Sequence, residues 1–142
     1  MGQISTIWAF DGQGTGVFTG ARVRRITAQY DFAVHGGTQG SINFGGLPSG
    51  TVILGGFLLV ETVLTSGGAA TAGISSEGAG DIIAATVISG APWSTTGKKA
   101  IIPKANTPES TSITLTANRN LALVVATADL TAGKFKLYLD VM

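Results

Sequence analysis

Clusters of glycine cut the first hundred residues of this chain into short pieces: Gly36-Gly37, Gly45-Gly46, Gly55-Gly56, Gly67-Gly68 and Gly78-Ala79-Gly80 fall about ten residues apart. A glycine inside a helix costs about 1 kcal/mol relative to alanine, whereas in a turn its backbone freedom is an advantage. Pieces of this length, separated by turn signals, have the dimensions of β-strands, and no stretch carries the pattern of a long amphipathic helix. The spacing therefore predicts an all-β chain.

The apolar residues support this. From Arg25 to His35 the chain alternates, with Ile26, Ala28, Tyr30, Phe32 and Val34 on one face and Arg25, Thr27, Gln29, Asp31 and His35 on the other, as a half-exposed strand requires. Ser41 to Phe44 is a short strand. Thr51 to Thr65 reads as a long strand interrupted at Gly55-Gly56, a pair that marks a bulge, a corner or a close backbone approach. Ala72 to Ser76 is another short strand, while Asp81 to Ile88 fits a strand or a short helix. Ser89 to Pro108, with Pro92, Pro103 and Pro108, reads as a long connection.

In the last third, Ser112 to Ala117, Leu121 to Ala126 and Lys134 to Val141 are strands joined by turns at Asn118-Arg119-Asn120 and Asp129 to Gly133. The last strand sets Phe135, Leu137, Leu139 and Val141 against Lys134, Lys136, Tyr138 and Asp140. The expected fold is an antiparallel β-sandwich, jelly-roll-like, over residues 21–142. Residues 1–20 read as an extended N-terminal arm, apolar from Ile4 to Phe10 and then jointed by Gly12, Gly14 and Gly16.

Composition narrows the function. Only 12% of residues are charged and the net charge is +1, so much of the surface is small and neutral and is easily desolvated against a partner. Arg22, Arg24 and Arg25 form the main basic cluster, with a smaller pair at Lys98-Lys99. That is too few cations, without interleaved aromatics, for a nucleic-acid partner. Cysteine is absent, which removes disulfides and thiolate metal sites. Thr51 to Leu64, the most apolar stretch, contains Gly55, Gly56 and Glu61 and is shorter than the ~20 residues of a membrane-spanning helix, so no membrane partner is expected. The N-terminus carries no secretory signal pattern.

No constellation assembles into catalytic chemistry. His35, the one histidine, lies at a strand end without a nucleophile elbow in the sequence. Glu61, Glu77 and Asp81 provide carboxylates for acid and base roles, but the aromatic platforms of a sugar site are missing around them, and Glu77 and Asp81 flank a turn whose amides they would satisfy. Gly12 to Gly16 and Gly97-Lys98 lack phosphate-loop spacing, and Pro92 stands where a Walker glycine belongs. The expectation is no enzyme, no cofactor and no metal. The residues marked for protein contacts are Ile7, Trp8 and Phe10 in the arm and Trp93 in the long connection. For Trp93, a core plug at one end of the sandwich is the equal alternative.

Three segments carry a resemblance: Glu77-Gly78-Ala79-Gly80-Asp81-Ile82-Ile83-Ala84-Ala85, Gly90-Ala91-Pro92-Trp93-Ser94-Thr95-Thr96-Gly97, and Leu130-Thr131-Ala132-Gly133-Lys134-Phe135 with its closing strand. Together with the strand from Ile26 to Val34, the region from Val23 to Val141 resembles small proteins from the head-gene regions of tailed bacteriophages. The resemblance implies a virion protein on the capsid exterior, of the decoration or cement type, a class often built as small β-rich homotrimers whose partner is the major capsid protein. A tail or fibre component is the second expectation. A carbohydrate-binding module with Trp93 and Tyr30 as platforms is the third.

Overall fold

The computed structural model describes residues 22–104 and 112–142. Among these residues nine strands form: β1 (Arg24–Asp31), β2 (Gly40–Leu47), β3 (Val52–Ser66), β4 (Thr71–Ser75), β5 (Ile83–Val87), β6 (Gly97–Ile101), β7 (Ile113–Thr114), β8 (Arg119–Ala126) and β9 (Leu130–Val141). One helical turn, α1 (Phe32–His35), follows β1. The strands make two antiparallel sheets, one ordered β1-β9-β3-β6 with β7 added beside β3, the other ordered β2-β8-β4-β5.

Apart from β7, the pairing is nested. The first strand pairs with the last, β1 with β9; inside that, β2 pairs with β8, then β3 with β6, and innermost β4 with β5. Two further ladders, β9 with β3 and β8 with β4, join these pairs into the two sheets.

Strand β9 is central in its sheet, and its period-two pattern is realised fully: Phe135, Leu137, Leu139 and Val141 are completely buried while the residues between them are partly exposed. Each such side chain contributes about 1.5–3 kcal/mol of transfer free energy by leaving water. Phe135 is the meeting point of the core. Its ring stacks on Tyr30 of β1 at 5.2 Å, takes the edge of Phe44 from β2 in the other sheet at 5.5 Å, and meets Trp93 at 5.7 Å. Tyr30 donates its hydroxyl to the Gly36 carbonyl at 2.6 Å, and burial first, then the charge of Asp31, pushes its pKa up to about 12.

Several boundaries differ from the sequence expectation. The strand expected to run to His35 stops at Asp31, whose carboxylate accepts the Ala33 N–H at 3.0 Å and starts α1. Phe32 still packs against the core, but Val34 is left 76% exposed because the alternation ends with the strand. The Gly55-Gly56 pair does not interrupt β3. Gly56 has φ +147°, and a Cβ placed there would lie 1.9 Å from the Tyr138 carbonyl oxygen, so the pair marks close backbone approach. A register irregularity beside it leaves Leu54 unpaired with β9, so that Ile53 and Leu58, of opposite parity, both face the core.

Asp81 to Ile88 contains a strand, β5. The expected long connection contains another, β6, which the scattered lysines and a single run of Ala100-Ile101 did not signal. Strands β8 and β9 begin earlier than expected, at Arg119 and Leu130, taking up residues expected in turns.

If the Phe135 contact is the keystone, Phe135→Ala costs about 3–5 kcal/mol, the range for removing a buried aromatic side chain. Urea denaturation followed by tryptophan fluorescence measures it, since Trp93 reports directly on the site.

Candidate interface surfaces

The two sheets have chemically opposite outer faces. On the outside of the β1-β9-β3-β6 sheet, Phe57 of β3 stacks on Tyr138 of β9 at 4.5 Å, a directly opposed cross-strand pair. The Arg25 guanidinium and the Lys98 ammonium each lie 4.9 Å from the centre of the Phe57 ring. Arg25 also forks onto Asp140, donating from Nε at 2.8 Å and from Nη2 at 3.1 Å. This contact raises the Arg25 pKa and lowers that of Asp140. Glu61 sits between Lys136, at 3.4 Å, and Lys134, at 3.7 Å. These pairs are solvent-exposed and each is worth little to stability. Their effect is to keep this face wet.

The other sheet is almost uncharged. Strands β2, β4 and β5 contain no charged residue, and β8 has only Arg119 at its start. Its outward positions carry small neutral side chains: Ser41 and Asn43 of β2 oppose Val124 and Ala122 of β8, and Ala122 opposes Ser75 of β4 on its other side. Gly73, opposite Val124, is buried beneath β5, where a Cβ would come within 2.9 Å of the Ala85 backbone. The result is a face of small, neutral side chains.

Arg119 does not break this neutrality, because Glu77 holds it. Glu77 lies in the loop after β4 and accepts from Arg119 Nε at 2.7 Å, from Nη2 at 3.4 Å, and from the hydroxyl and N–H of Thr116. The donors from Arg119, then from Thr116, bring the Glu77 pKa down to about 2. Asp81 in the same loop is buried and works as a turn former. Its carboxylate accepts the Ser76 N–H at 2.8 Å, the Ser76 hydroxyl at 3.0 Å and the Gly78 N–H at 2.8 Å. The three carboxylates considered for acid–base chemistry thus serve an outer-face ion cluster, a loop clasp and a turn.

His35 closes α1, where its Nδ1 lies 3.1 Å from the Asp31 amide nitrogen and its ring stacks on Tyr30 at 5.6 Å. Among the described residues no group of three His, Cys, Asp or Glu side chains is arranged to hold a metal ion, and no helix is long and apolar enough to cross a membrane.

Of the residues marked for protein contacts, Ile7, Trp8 and Phe10 lie outside the described residues. Trp93 is fully buried, donating its indole N–H to the Ala72 carbonyl at 3.1 Å, so it is the core plug and offers no ring to a partner. The same burial removes Trp93 and Tyr30 as sugar platforms, since both are 0% exposed. Phe57 and Tyr138, two described aromatics that reach the surface, carry no such expectation in the sequence. Their pairing across two strands distant in the chain depends on register.

Comparison with known proteins agrees with the architecture. No protein-family model matches the chain, and no curated protein matches it in sequence. Among solved structures, a chain in the acid-stable capsid of the Helicobacter pylori bacteriophage KHP30 shares the fold with a TM-score of 0.56. It is 15% identical, and the match covers 85% of this chain and 87% of that one. The likeness is thus one of fold, and it extends over most of both chains.

The Glu77 clasp has a defined pH dependence. Its folded pKa of about 2 lies below the ordinary 4.5, so its share of stability is complete above about pH 4.5 and disappears as pH falls through about 2. Glu77→Gln is expected to lower the melting temperature at neutral pH and to flatten the melting-temperature curve between pH 4.5 and 2, as measured by circular dichroism.

Proposed function

We propose that the chain is a structural protein of a phage virion, of the capsid decoration or cement type, bound to the outside of the head through the major capsid protein and oligomeric, as a trimer. The observation that carries this reading is the fold shared, over most of its length, with a chain of a phage capsid. Two features of the molecule support it. The nested pairing of β1 with β9, β2 with β8, β3 with β6 and β4 with β5 supports a jelly-roll reading of the sandwich, an architecture common in virion shells. The segregation of charge supports a two-sided role, with the neutral β2-β8-β4-β5 face against protein and the ionic face toward solvent.

The physical logic is desolvation. An ion that enters a dry interface costs several kcal/mol unless it is paired there, and the neutral face has none to strand. The arm, with Ile7, Trp8 and Phe10, adds apolar contact between subunits and with the shell, offset by the entropy of ordering it. Several weak contacts held in one oligomer reinforce one another, so an oligomer stays on the shell when a single subunit would not.

Quantitative mass spectrometry of purified particles tests the location: a decoration protein is stoichiometric with the capsomers, whereas a tail or fibre part is present in a small fixed number. Val124→Asp on the neutral face, and separately alanine at Ile7, Trp8 and Phe10 together, are each expected to weaken shell binding at least about tenfold, roughly 1.4 kcal/mol. Lys136→Ser on the ionic face is expected to leave it unchanged. Sedimentation of labelled protein with shells measures all three, and equal binding by every variant sinks the assignment of faces.

A further inference from the structure

The free edges of the two sheets, β6 in one and β5 in the other, both line a groove of about 320 Å³. Its floor is apolar, with Ile82 and Ile101 3% and 6% exposed, and its walls include Ala84, Pro92 and Ala100. At this side of the molecule Val87 is 47% and Ile102 57% exposed, two of the few large apolar side chains left in water among the described residues. Among the described residues, Lys99 is the one charged residue lining the groove, and it turns back to donate to the Thr96 carbonyl at 2.9 Å. Both strands carry one row of backbone N–H and C=O groups with no strand beside them among the described residues, the arrangement that accepts an added strand.

We infer that this groove receives residues 4–10 of a second copy of the chain, which add a strand to the free edge and set alternate side chains into the groove. The segment Ile4-Ser5-Thr6-Ile7-Trp8-Ala9-Phe10 suits it, being uncharged, rich in β-branched and aromatic residues, and alternating so that Ile4, Thr6, Trp8 and Phe10 share one side. A neutral strand entering a neutral groove strands no charge.

A second copy is the favoured donor because of where the described chain begins. Residues 1–21 join the fold ahead of β1, at the edge of its sheet opposite β6, three strand spacings or about 14 Å away. To reach its own groove the segment would have to cross one of the two outer faces or pass around an end of the sandwich. A neighbour whose β5–β6 edge stands beside β1 receives it directly. Length is no obstacle, since the chain from Phe10 to Arg22 spans up to about 40 Å when extended. The contact is head-to-tail, each copy giving a segment and accepting one, and such contacts close into a ring when the rotation between copies closes.

What the arm touches can be tested without shells, so failure here is distinct from failure of the virion role. Because the chain has no cysteine, engineered pairs are unambiguous. Thr6→Cys, Trp8→Cys or Phe10→Cys, each combined with Ala84→Cys in the full chain, is oxidised and run on non-reducing gels. At least one pair is expected to give disulfide-linked oligomers that collapse on reduction. Light scattering of the cysteine-free chain is expected to show an oligomer, and Ile102→Asp to convert it to monomer with an unchanged circular dichroism spectrum. A disulfide only within one chain, no disulfide from any folded pair, a wild-type monomer, or an oligomer indifferent to Ile102→Asp each overturns it.

Discussion

The contact among Phe135, Tyr30, Phe44 and Trp93 holds the remaining structure in relation. Phe135 belongs to the central strand of one sheet, Phe44 to the other sheet, Tyr30 to an edge strand, and Trp93 to the connection that leads from β5 to β6. One ring cluster therefore ties both layers and the crossover between them. Its polar atoms are satisfied within the fold, Tyr30 by the Gly36 carbonyl and Trp93 by the Ala72 carbonyl, so large aromatic area is buried without an orphaned donor.

With the core fixed in this way, each sheet is left with one outward face, and the two faces differ. On the outer face of β1, β9, β3 and β6, Arg25 and Asp140, and Glu61 with Lys134 and Lys136, engage one another, and Arg25 and Lys98 lie over the Phe57 ring. The face of β2, β8 and β4 has small neutral residues, and Arg119 at its margin is neutralised by Glu77. Such a division makes the neutral side cheap to dry and keeps the ionic side hydrated.

Much of the fold was legible in the chain. The strands from Arg25, from Thr51 and from Lys134 announced themselves through period-two alternation or apolar runs; the inward residues expected in the last are all buried, whereas in the first only Tyr30 is, with Ile26, Ala28 and Phe32 packed partly buried against the core. Where the reading stopped short, a competing local interaction was responsible. Asp31 caps a helical turn that the alternation through Val34 concealed. β6 carries Lys98 and Lys99 and gains its strand character by pairing with β3, a partner distant in sequence. The candidate contacts were less legible: Trp93 looked equally suited to an interface or a core, because a tryptophan's surroundings in space are not written in its neighbours along the chain.

By itself, then, the sequence determined the class of structure: short alternating segments between glycine turns bury their apolar sides only by pairing as strands and stacking as sheets, and a charge content of 12% commits much of the surface to neutrality. Tertiary structure alone decided where those residues meet. Register brought Phe57 onto Tyr138 and Arg25 onto Asp140, nested pairing left β5 and β6 lining one groove, and the assignment of strands to sheets separated ionic from neutral faces. The physical reason is that strand propensity is local, while pairing partners are selected by long-range packing of the whole core.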